Sequence, residues 1–221
     1  MPIVPFSQVH HCDLEVGNVY EGGSTGNLGD EVLSKLVPGT GNQSGFRIAG
    51  RPRSNPKFVV LYSDGEHADW PDYADTIANR WLYFGDNITP GNTITDTKQG
   101  GNALLKSVFS DIHATPRRLD RIPPFFVFKK RVTPNSSRSA EFLGLAVPGA
   151  AGMPAAHDLI TISHSKDGQT PRLNYRATFT FLKASTIQRS WLLQLNNIGR
   201  QATKDAPPEW IAWVTSMNYP V

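Results

Sequence analysis

The stretch from Asp64 to Asn87 places carboxylates beside flat aromatic rings. It reads DGEHADWPDYADTIANRWLYFGDN. A cytosine removed from a duplex needs a flat partner on each face, a carboxylate for its N4 amino hydrogens, and backbone N–H groups for its O2. Carbohydrate sites use the same residue types, and some of the rings would also suit a protein core, so these alternatives stay open. The residues concerned are Asp69, Asp72, Asp75 and Asp86, with Trp70, Tyr73, Trp81, Tyr83 and Phe84.

The charge is divided unevenly along the 221 residues. The net charge is +3, from 22 Lys and Arg against 19 Asp and Glu. Residues 1–100 carry seven bases and twelve acids, and residues 101–221 carry fifteen bases and seven acids. A basic segment beside an acidic one is typical of a nucleic-acid site with a separate pocket, because phosphate contacts supply sequence-independent affinity. A solvated basic face without a partner is the alternative.

Familiar catalytic motifs are missing from the sequence. It contains no Gly-x-Ser-x-Gly elbow, no Walker loop and no dinucleotide fingerprint. The segment 10–13 (HHCD) suits a polar turn better than a metal site, because adjacent side chains point in different directions. Asp158 and Lys166 flank one predicted strand, but the second carboxylate of a metal-dependent nuclease is lacking. The sequence therefore favours a binding protein without a cofactor.

Composition limits where the protein works. A single Cys excludes a disulfide framework within the chain. No secretory signal opens the sequence, and the longest weakly polar stretch, 143–156, is broken by two prolines and too short to span a bilayer. We expect a soluble, cytoplasmic protein that does not bind membranes.

The hydrophobic pattern predicts a sheet with a few helices outside it. The fold class is α+β, with a mixed or mostly antiparallel sheet that curls into a barrel-like core. Strands are predicted at 46–49, 57–63, 80–84, 125–130, 141–147, 159–163 and 175–182. Helices are predicted at 30–36 with Asp30 as N-cap, 102–113, 185–198 and 209–216.

Short segments spread over residues 1–195 carry a family pattern. With these segments in this order, the sequence resembles the N-terminal domain of AspBHI-type modification-dependent restriction endonucleases, relatives of the MspJI family. That domain is related to the SET- and RING-associated (SRA) reader of 5-methylcytosine. The segments are 13–16 (DLEV), 19–23 (VYEGG), 41–47 (GNQSGFR), 59–62 (VVLY), 69–72 (DWPD), 83–87 (YFGDN), 96–105 (DTKQGGNALL), 123–128 (PPFFVF), 142–149 (FLGLAVPG) and 174–177 (NYRA).

The resemblance implies an SRA-like domain that binds duplex DNA, flips 5-methylcytosine or 5-hydroxymethylcytosine, and holds it in a pocket. The positions that match the family's pocket are Trp70, Asp72 and Tyr83, with Phe84 beside them. The spacing from Asp72 to Tyr83 is longer than in SRA readers, so Asp75 is a rival for the carboxylate and Asp69 a weaker one. Gln43, with Asn42 beside it, is the candidate to fill the gap left in the duplex; closing a turn is the alternative.

The basic segments are the candidates for DNA backbone contacts, which position the duplex rather than read it. Any one of them also suits a solvated surface. They are Arg51, Arg53, Arg117, Arg118, Arg121, Lys129, Lys130 and Arg131.

The resemblance also implies a longer parent protein, a type II modification-dependent restriction endonuclease. We expect residues 1–198 to form the SRA-like DNA-recognition domain and residues 199–221 a linker and helix toward an absent nuclease domain. A divalent metal is expected only in that nuclease domain, so this chain alone is expected to be non-catalytic. A free-standing reader, a reader of another DNA or RNA modification, and a self-contained metal-dependent nuclease stay open. The C-terminal helices, with Trp191, Trp210 and Trp213, would either dock that domain or cap the sheet.

Overall fold

The computed structural model describes residues 1–165 and 170–220, and its strands form one large sheet and one small one. Most strands lie close to the ranges that the hydrophobic pattern predicts. The strands are β1 (Ile3–Val4), β2 (Leu14–Glu15), β3 (Val19–Tyr20), β4 (Phe46–Ala49), β5 (Phe58–Ser63), β6 (Tyr73–Asp75), β7 (Arg80–Phe84), β8 (Phe125–Thr133), β9 (Ser136–Pro148), β10 (Leu159–His164), β11 (Arg172–Phe181) and β12 (Thr186–Ile187).

Helices are fewer and flank the large sheet. They are α1 (Leu33–Leu36), α2 (Gly101–His113), α3 (Ala155–Asp158), α4 (Arg189–Ile198) and α5 (Pro208–Ser216). None of the described helices is long and apolar enough to cross a membrane.

Two predicted helices are wrong in part. The 30–36 segment divides into a 3₁₀ turn, Leu28–Asp30, and the single turn α1. Asp30 does not cap a helix, because its carboxylate accepts the N–H of Gly26 at 2.5 Å and the hydroxyl of Thr25 at 2.9 Å. At 185–198, the first residues form β12, which pairs with β2, before α4 begins.

The large sheet is mixed, as predicted. Its main path runs β4-β5-β8-β9-β11-β7-β6, with β10 on β11, and β3 on β9 carrying β1. The β5–β8 and β1–β3 pairs are parallel, and the other pairs are antiparallel. Over the described ranges the path ends at β4 and β6 and does not close into a barrel. The α+β class is confirmed, and the barrel-like core is an open, branched sheet.

The core explains why these segments form strands. β5 and the first half of β8 read as largely apolar runs, and both are buried except at Tyr62, because these strands are covered on two faces. The apolar face of α2 packs against β11 through Phe109, whose ring lies 5.7 Å from that of Phe179. The C-terminal ends of β5 and β7 meet beside Gly45, where a Cβ would lie 2.7 Å from the carbonyl oxygen of Tyr62 and 3.2 Å from the hydroxyl of Tyr83.

The C-terminal helices pack on the core. Trp191, Trp210 and Trp213 are at most 2% exposed, and the Nε1 of Trp191 donates to the carbonyl of Ala202 at 2.9 Å. These three rings therefore pack on the core and cap the sheet, and docking of a further domain by the C-terminal helices stays a prediction. The predicted division at residue 198 stays a prediction.

Candidate functional site

A cavity opens beside the ends of β5 and β7 and the loop 41–45. Its volume is about 930 Å³; ligand sites typically measure about 300–1,000 Å³. The aromatic and acidic stretch of the sequence and the loop 41–45 meet here, although residues 46–63 separate them in the chain. The predicted site residues that line the cavity are Asn42, Gln43, Trp70, Asp72, Tyr83, Phe84 and Lys130.

Asp72 contributes a partly buried carboxylate to the cavity. Its Oδ1 accepts the backbone N–H of Phe84 at 2.8 Å, and the hydroxyl of Ser63 donates to the same carboxylate. Burial raises the pKa of Asp72 to about 7 against these two hydrogen bonds, and the charge of Asp64 adds to the rise. A carboxylate offers about four acceptor positions, so two of them are available to a ligand.

Aromatic side chains form walls of the same cavity. Trp70 and Tyr83 are each 4% exposed. The ring of Trp70 lies 5.7 Å from that of Phe84 and 5.6 Å from that of His164, and the ring of Tyr83 lies 5.8 Å from that of Phe46. Burial also raises the pKa of Tyr83 well above its usual value, so the ring stays neutral. The walls are therefore fixed and uncharged.

The rival carboxylates lie elsewhere. Asp75 does not line the cavity, and its Oδ1 accepts the N–H of Ala78 at 3.0 Å in the turn between β6 and β7. Asp69 also lies outside the lining, where its Oδ1 pairs with His164 at 3.1 Å and its Oδ2 with Arg172 at 2.5 Å. Of the three candidates, Asp72 is the one that the structure brings to the cavity.

Asp86 does line the cavity but serves a helix. Its carboxylate accepts the N–H groups of Gly101 at 3.0 Å and Asn102 at 2.8 Å, and the hydroxyl of Thr97 at 2.9 Å. The first N–H groups of a helix lack partners within it, and a carboxylate there satisfies them. Asp86 thus anchors the start of α2 at the cavity.

Gly85 is required where β7 leaves the sheet. A Cβ at this position would lie 1.7 Å from Oδ1 of Asn102 and 2.6 Å from Oδ1 of Asn174. Both amides close the junction: Asn174 donates to the carbonyl of Gly85 at 2.9 Å, and Asn102 accepts the N–H of Asp86 at 3.1 Å. Only glycine permits this approach, which fixes the turn that follows Tyr83.

Asn42 and Gln43 are exposed at the rim of the cavity, in the loop 41–45. Ser44 follows with a φ of +71°, and its hydroxyl donates to the carbonyl of Phe46 at 2.8 Å. A Cβ on Gly45 would lie 2.7 Å from the carbonyl oxygen of Tyr62, so the loop returns to the sheet through a close backbone contact. The loop therefore holds the amide side chains of Asn42 and Gln43 at the rim of the cavity on a backbone of defined conformation.

The basic residues form two groups. Lys98, Lys130 and Arg138 line the cavity. Lys130 pairs with Glu66 at 2.6 Å, and Arg138 donates to the carbonyl of Gly26 at 3.1 Å. Both cations keep part of their surface open beside the cavity.

The neighbours of Lys130 on β8 contribute less to the positive charge beside the cavity. Lys129 and Arg131 are half-buried and are not among the described residues that line the cavity. Arg131 forms an ion pair with Glu141.

The second group lies around the far end of α2. Thirteen helical residues span about 20 Å, and Arg118 pairs with Asp111 near the end of α2 that is remote from Asp86. Arg200 joins two predicted segments there: it donates to the carbonyl of Asp120 at 2.7 Å and to the side chain of Asn55. We name this group the arginine surface: Arg117, Arg118, Arg121 and Arg200. Arg51 is exposed two residues before Arg53 and stays a candidate for a backbone contact.

Arg53 connects the arginine surface to the cavity. Its guanidinium donates to the carbonyls of Lys98 at 3.1 Å and Gln99 at 2.6 Å, and both of these residues line the cavity. Arg53 thus holds the segment that precedes α2.

Metal-binding geometry is absent from the described ranges, 1–165 and 170–220, which contain no group of three His, Cys, Asp or Glu side chains that could hold an ion. Asp158 is buried, and its Oδ2 lies 2.6 Å from Nε2 of His113. Lys166, its predicted partner in a nuclease site, lies outside the described residues.

Four residues of the cavity and of the arginine surface were not predicted from the sequence. Ser63 closes a buried strand, and Arg47 follows the loop; neither carries a signal without the fold. Arg138 sits within the predicted basic segment, and Arg200 is an isolated cation in a polar linker. Only the pairing of strands and loops brings them to the cavity and to the arginine surface.

A cavity that combines aromatic walls, the carboxylate of Asp72 and nearby cations suits a flat ligand with hydrogen-bond donors. The chain matches the family described as restriction endonuclease AspBHI, N-terminal, over residues 14–221. It belongs to that family, and the resemblance seen in the sequence is confirmed.

Solved structures agree with the family. The DNA recognition domain of the cytosine modification-dependent restriction endonuclease LpnPI has a TM-score of 0.93 at 39% identity, over 100% of this chain and 96% of that one. The DNA modification-dependent restriction endonuclease AspBHI has a TM-score of 0.86 at 34% identity, over 98% of this chain and 97% of that one.

More distant likeness concerns the fold alone. The MspJI restriction endonuclease, solved with a 27-mer oligonucleotide, has a TM-score of 0.64 at 20% identity, over 91% of this chain and 51% of that one. A search of curated proteins returns no match.

Proposed function

We propose that this chain binds duplex DNA that contains a modified cytosine and holds the flipped base in the cavity. The observation that carries the proposal is Asp72, a partly buried carboxylate with acceptor positions to spare in a cavity walled by aromatic rings. Two relatives above 30% identity are modification-dependent restriction endonucleases or their recognition domains, which supports the same ligand.

Each part of the cavity has a role in this proposal. Asp72 accepts the N4 amino hydrogens of cytosine, a donor that thymine lacks at that position. Trp70, Phe84 and Tyr83 supply flat surfaces beside the base, and Gln43 with Asn42 fills the gap left in the duplex. Extruding a base costs a few kcal/mol of stacking and pairing, so these contacts must offset that cost.

Phosphate contacts supply the remaining affinity. Lys98, Lys130 and Arg138 lie where a duplex would approach the cavity. Arg53, Lys129, Arg131 and the arginine surface are the further candidates that the basic segments predict. Such contacts bind any duplex and depend on salt.

Within a longer protein, the chain would act as the recognition module of a modification-dependent restriction endonuclease. Residues 1–198 would form that module and residues 199–221 the connection to a C-terminal nuclease domain, where a divalent metal would act. Cleavage would then belong to that domain and recognition to this one.

The test compares otherwise identical duplexes that carry cytosine, 5-methylcytosine or 5-hydroxymethylcytosine. We expect the wild-type chain to bind a modified duplex at least tenfold more tightly than the unmodified one. A charge-assisted hydrogen bond contributes about 1.5–3 kcal/mol, so Asp72→Asn should remove most of this preference and leave weak, salt-sensitive binding. Fluorescence anisotropy at several salt concentrations measures both.

Asp75→Asn is the matched control, because it makes the same change three residues away and outside the cavity. It should keep the wild-type preference. Equal binding of all three duplexes by the wild-type chain would refute the proposed function. A preference that survives Asp72→Asn but not Asp75→Asn would move the carboxylate role to Asp75.

A further inference from the structure

One buried side chain fixes the loop 41–45 at both ends. Arg47, the second residue of β4, donates its Nε to the carbonyl of Ser44 at 2.8 Å and its Nη1 to the carbonyl of Gly41 at 2.7 Å. Its side chain is 5% exposed, whereas residues 41–44 are exposed. An exposed loop is thus tied to the interior by a single guanidinium.

The guanidinium has a buried counterion. Its Nη1 lies 2.8 Å from Oε1 of Glu31, whose side chain is 11% exposed. Oε2 of Glu31 accepts the N–H of Ser34 at 2.9 Å in α1, so the counterion is itself anchored. The guanidinium also lies over the ring of Tyr62, 5.2 Å from its centre. A buried charge is tolerated when it is paired and hydrogen-bonded in this way.

We propose that Arg47, held by Glu31, is a positioning residue that sets the shape of the loop 41–45 before DNA arrives. The inference rests on the proposed function, in which Gln43 fills the gap in the duplex. A loop ordered in advance loses less conformational freedom when it inserts, so its side chains contribute more of their binding energy. Arg47 acts through the loop and does not contact the base.

Arginine suits this position because its planar group carries five N–H donors in a fixed fork. Two carbonyls and one carboxylate use that fork at once. A lysine at 47 would keep the charge near Glu31 but could not hold both ends of the loop with the same geometry. An Arg47→Lys substitution therefore separates the effect of the guanidinium geometry from the effect of the positive charge.

The experiment is a double-mutant cycle between positions 43 and 47. In the wild-type background, Gln43→Ala should weaken binding of the modified duplex about tenfold. In the Arg47→Lys background, it should change binding less than threefold, because residues that act as one unit are not additive. Arg47→Lys alone should also lower the fluorescence rise of a 2-aminopurine placed beside the modified cytosine, a signal of local unstacking.

Arg189→Lys is the matched control, since Arg189 donates to the carbonyl of Leu36, away from the cavity. It should leave the fluorescence rise and the effect of Gln43→Ala unchanged. Glu31→Gln serves as a second variant if Arg47→Lys does not fold; it leaves the arginine in place without its counterion and should reproduce the loss of additivity.

Two outcomes separate the inference from the proposed function. If the wild-type chain prefers modified duplexes but the cycle is additive and the fluorescence rise is unchanged in both variants, Arg47 is not a positioning residue. If the wild-type chain shows no preference at all, the proposed function fails and the inference fails with it.

Discussion

Asp72 and Asp86 line the same cavity but meet different partners. Asp86 accepts two N–H groups at the start of α2 and a hydroxyl, so its hydrogen-bonding capacity is used within the fold. Asp72 receives one N–H and one hydroxyl, and burial still raises its pKa to about 7. The poorly compensated carboxylate is the one prepared for a ligand with hydrogen-bond donors.

This pKa predicts how binding depends on pH. The N4 amino group binds the ionised carboxylate, and a group with a pKa near 7 is about a tenth ionised at pH 6 and about nine-tenths at pH 8. Affinity for the modified duplex should therefore rise up to about tenfold between pH 6 and pH 8. Titration calorimetry with a modified duplex measures the change.

Asp86→Asn is the control for the pH profile: it keeps a capping oxygen, removes a charge from the same cavity, and should retain the rise with pH. Asp72→Asn should bind with no such rise. Affinity that falls between pH 6 and pH 8 in the wild-type chain would contradict the proposed acceptor role. It would indicate that the protonated carboxyl donates to N3 of the base.

The same pKa affects stability with the opposite sign. Because the folded-state pKa of Asp72 lies above its usual value, the stabilisation of the protonated form is fully present near pH 4 and is lost as the pH rises toward 7. Binding and folding therefore favour different charge states of one side chain. A ligand that donates hydrogen bonds to Asp72 stabilises the ionised carboxylate in the folded protein.

At the scale of elements, the cavity depends on the junction between β7, β11 and α2. Gly85 directly follows β7, Asn174 belongs to β11, and Asn102 is the second residue of α2. Hydrogen bonds join all three elements within a few ångströms, and the Nδ2 of Asn102 lies 3.0 Å from Oδ1 of Asn174. A change at this junction should loosen the wall that carries Tyr83.

Gly85→Ala tests the junction. The added Cβ would overlap Oδ1 of Asn102, and overpacking of this kind typically costs about 1–3 kcal/mol. We expect the free energy of unfolding in urea to fall by that amount. Gly41→Ala is the control, because a Cβ there meets nothing within 4 Å. Equal free energies of unfolding for the two variants would show that the junction accommodates the added Cβ without loss of stability.

Much of this element level could be predicted from the sequence. The apolar runs of β5 and β7 and the amphipathic face of α2 follow from local periodicity, and the aromatic and acidic stretch does line the cavity. Periodicity could not join Asp75 to the N–H of Ala78 or Arg47 to Gly41, because those contacts depend on backbone geometry. It also missed β12, whose partner β2 lies about 170 residues earlier in the chain.

At the scale of the whole molecule, the fold shows where the unevenly divided charges of the sequence lie. Acidic side chains from the first half meet in the cavity or brace its surroundings, while Lys130 and Arg138 from the second half stand at its side. The arginine surface lies near the end of α2 that is remote from Asp86. One duplex could be read at the cavity and held along its backbone by both basic groups.

This arrangement predicts two classes of variant. Arg117→Ala, on the arginine surface, should weaken modified and unmodified duplexes by the same factor, because a phosphate contact carries no base information. Each phosphate contact that is lost should lower the slope of log affinity against log salt by about one. Binding titrations at four salt concentrations with both duplexes give the slope and the preference together.

Lys106→Ala supplies the comparison, since Lys106 is an exposed cation on α2 outside both basic groups. It should change neither the slope nor the preference. If Arg117→Ala behaves like Lys106→Ala, the arginine surface is a solvated face. If Arg117→Ala instead lowers the preference for the modified duplex, this part of the molecule influences base recognition, and the separation between reading and holding the DNA is wrong.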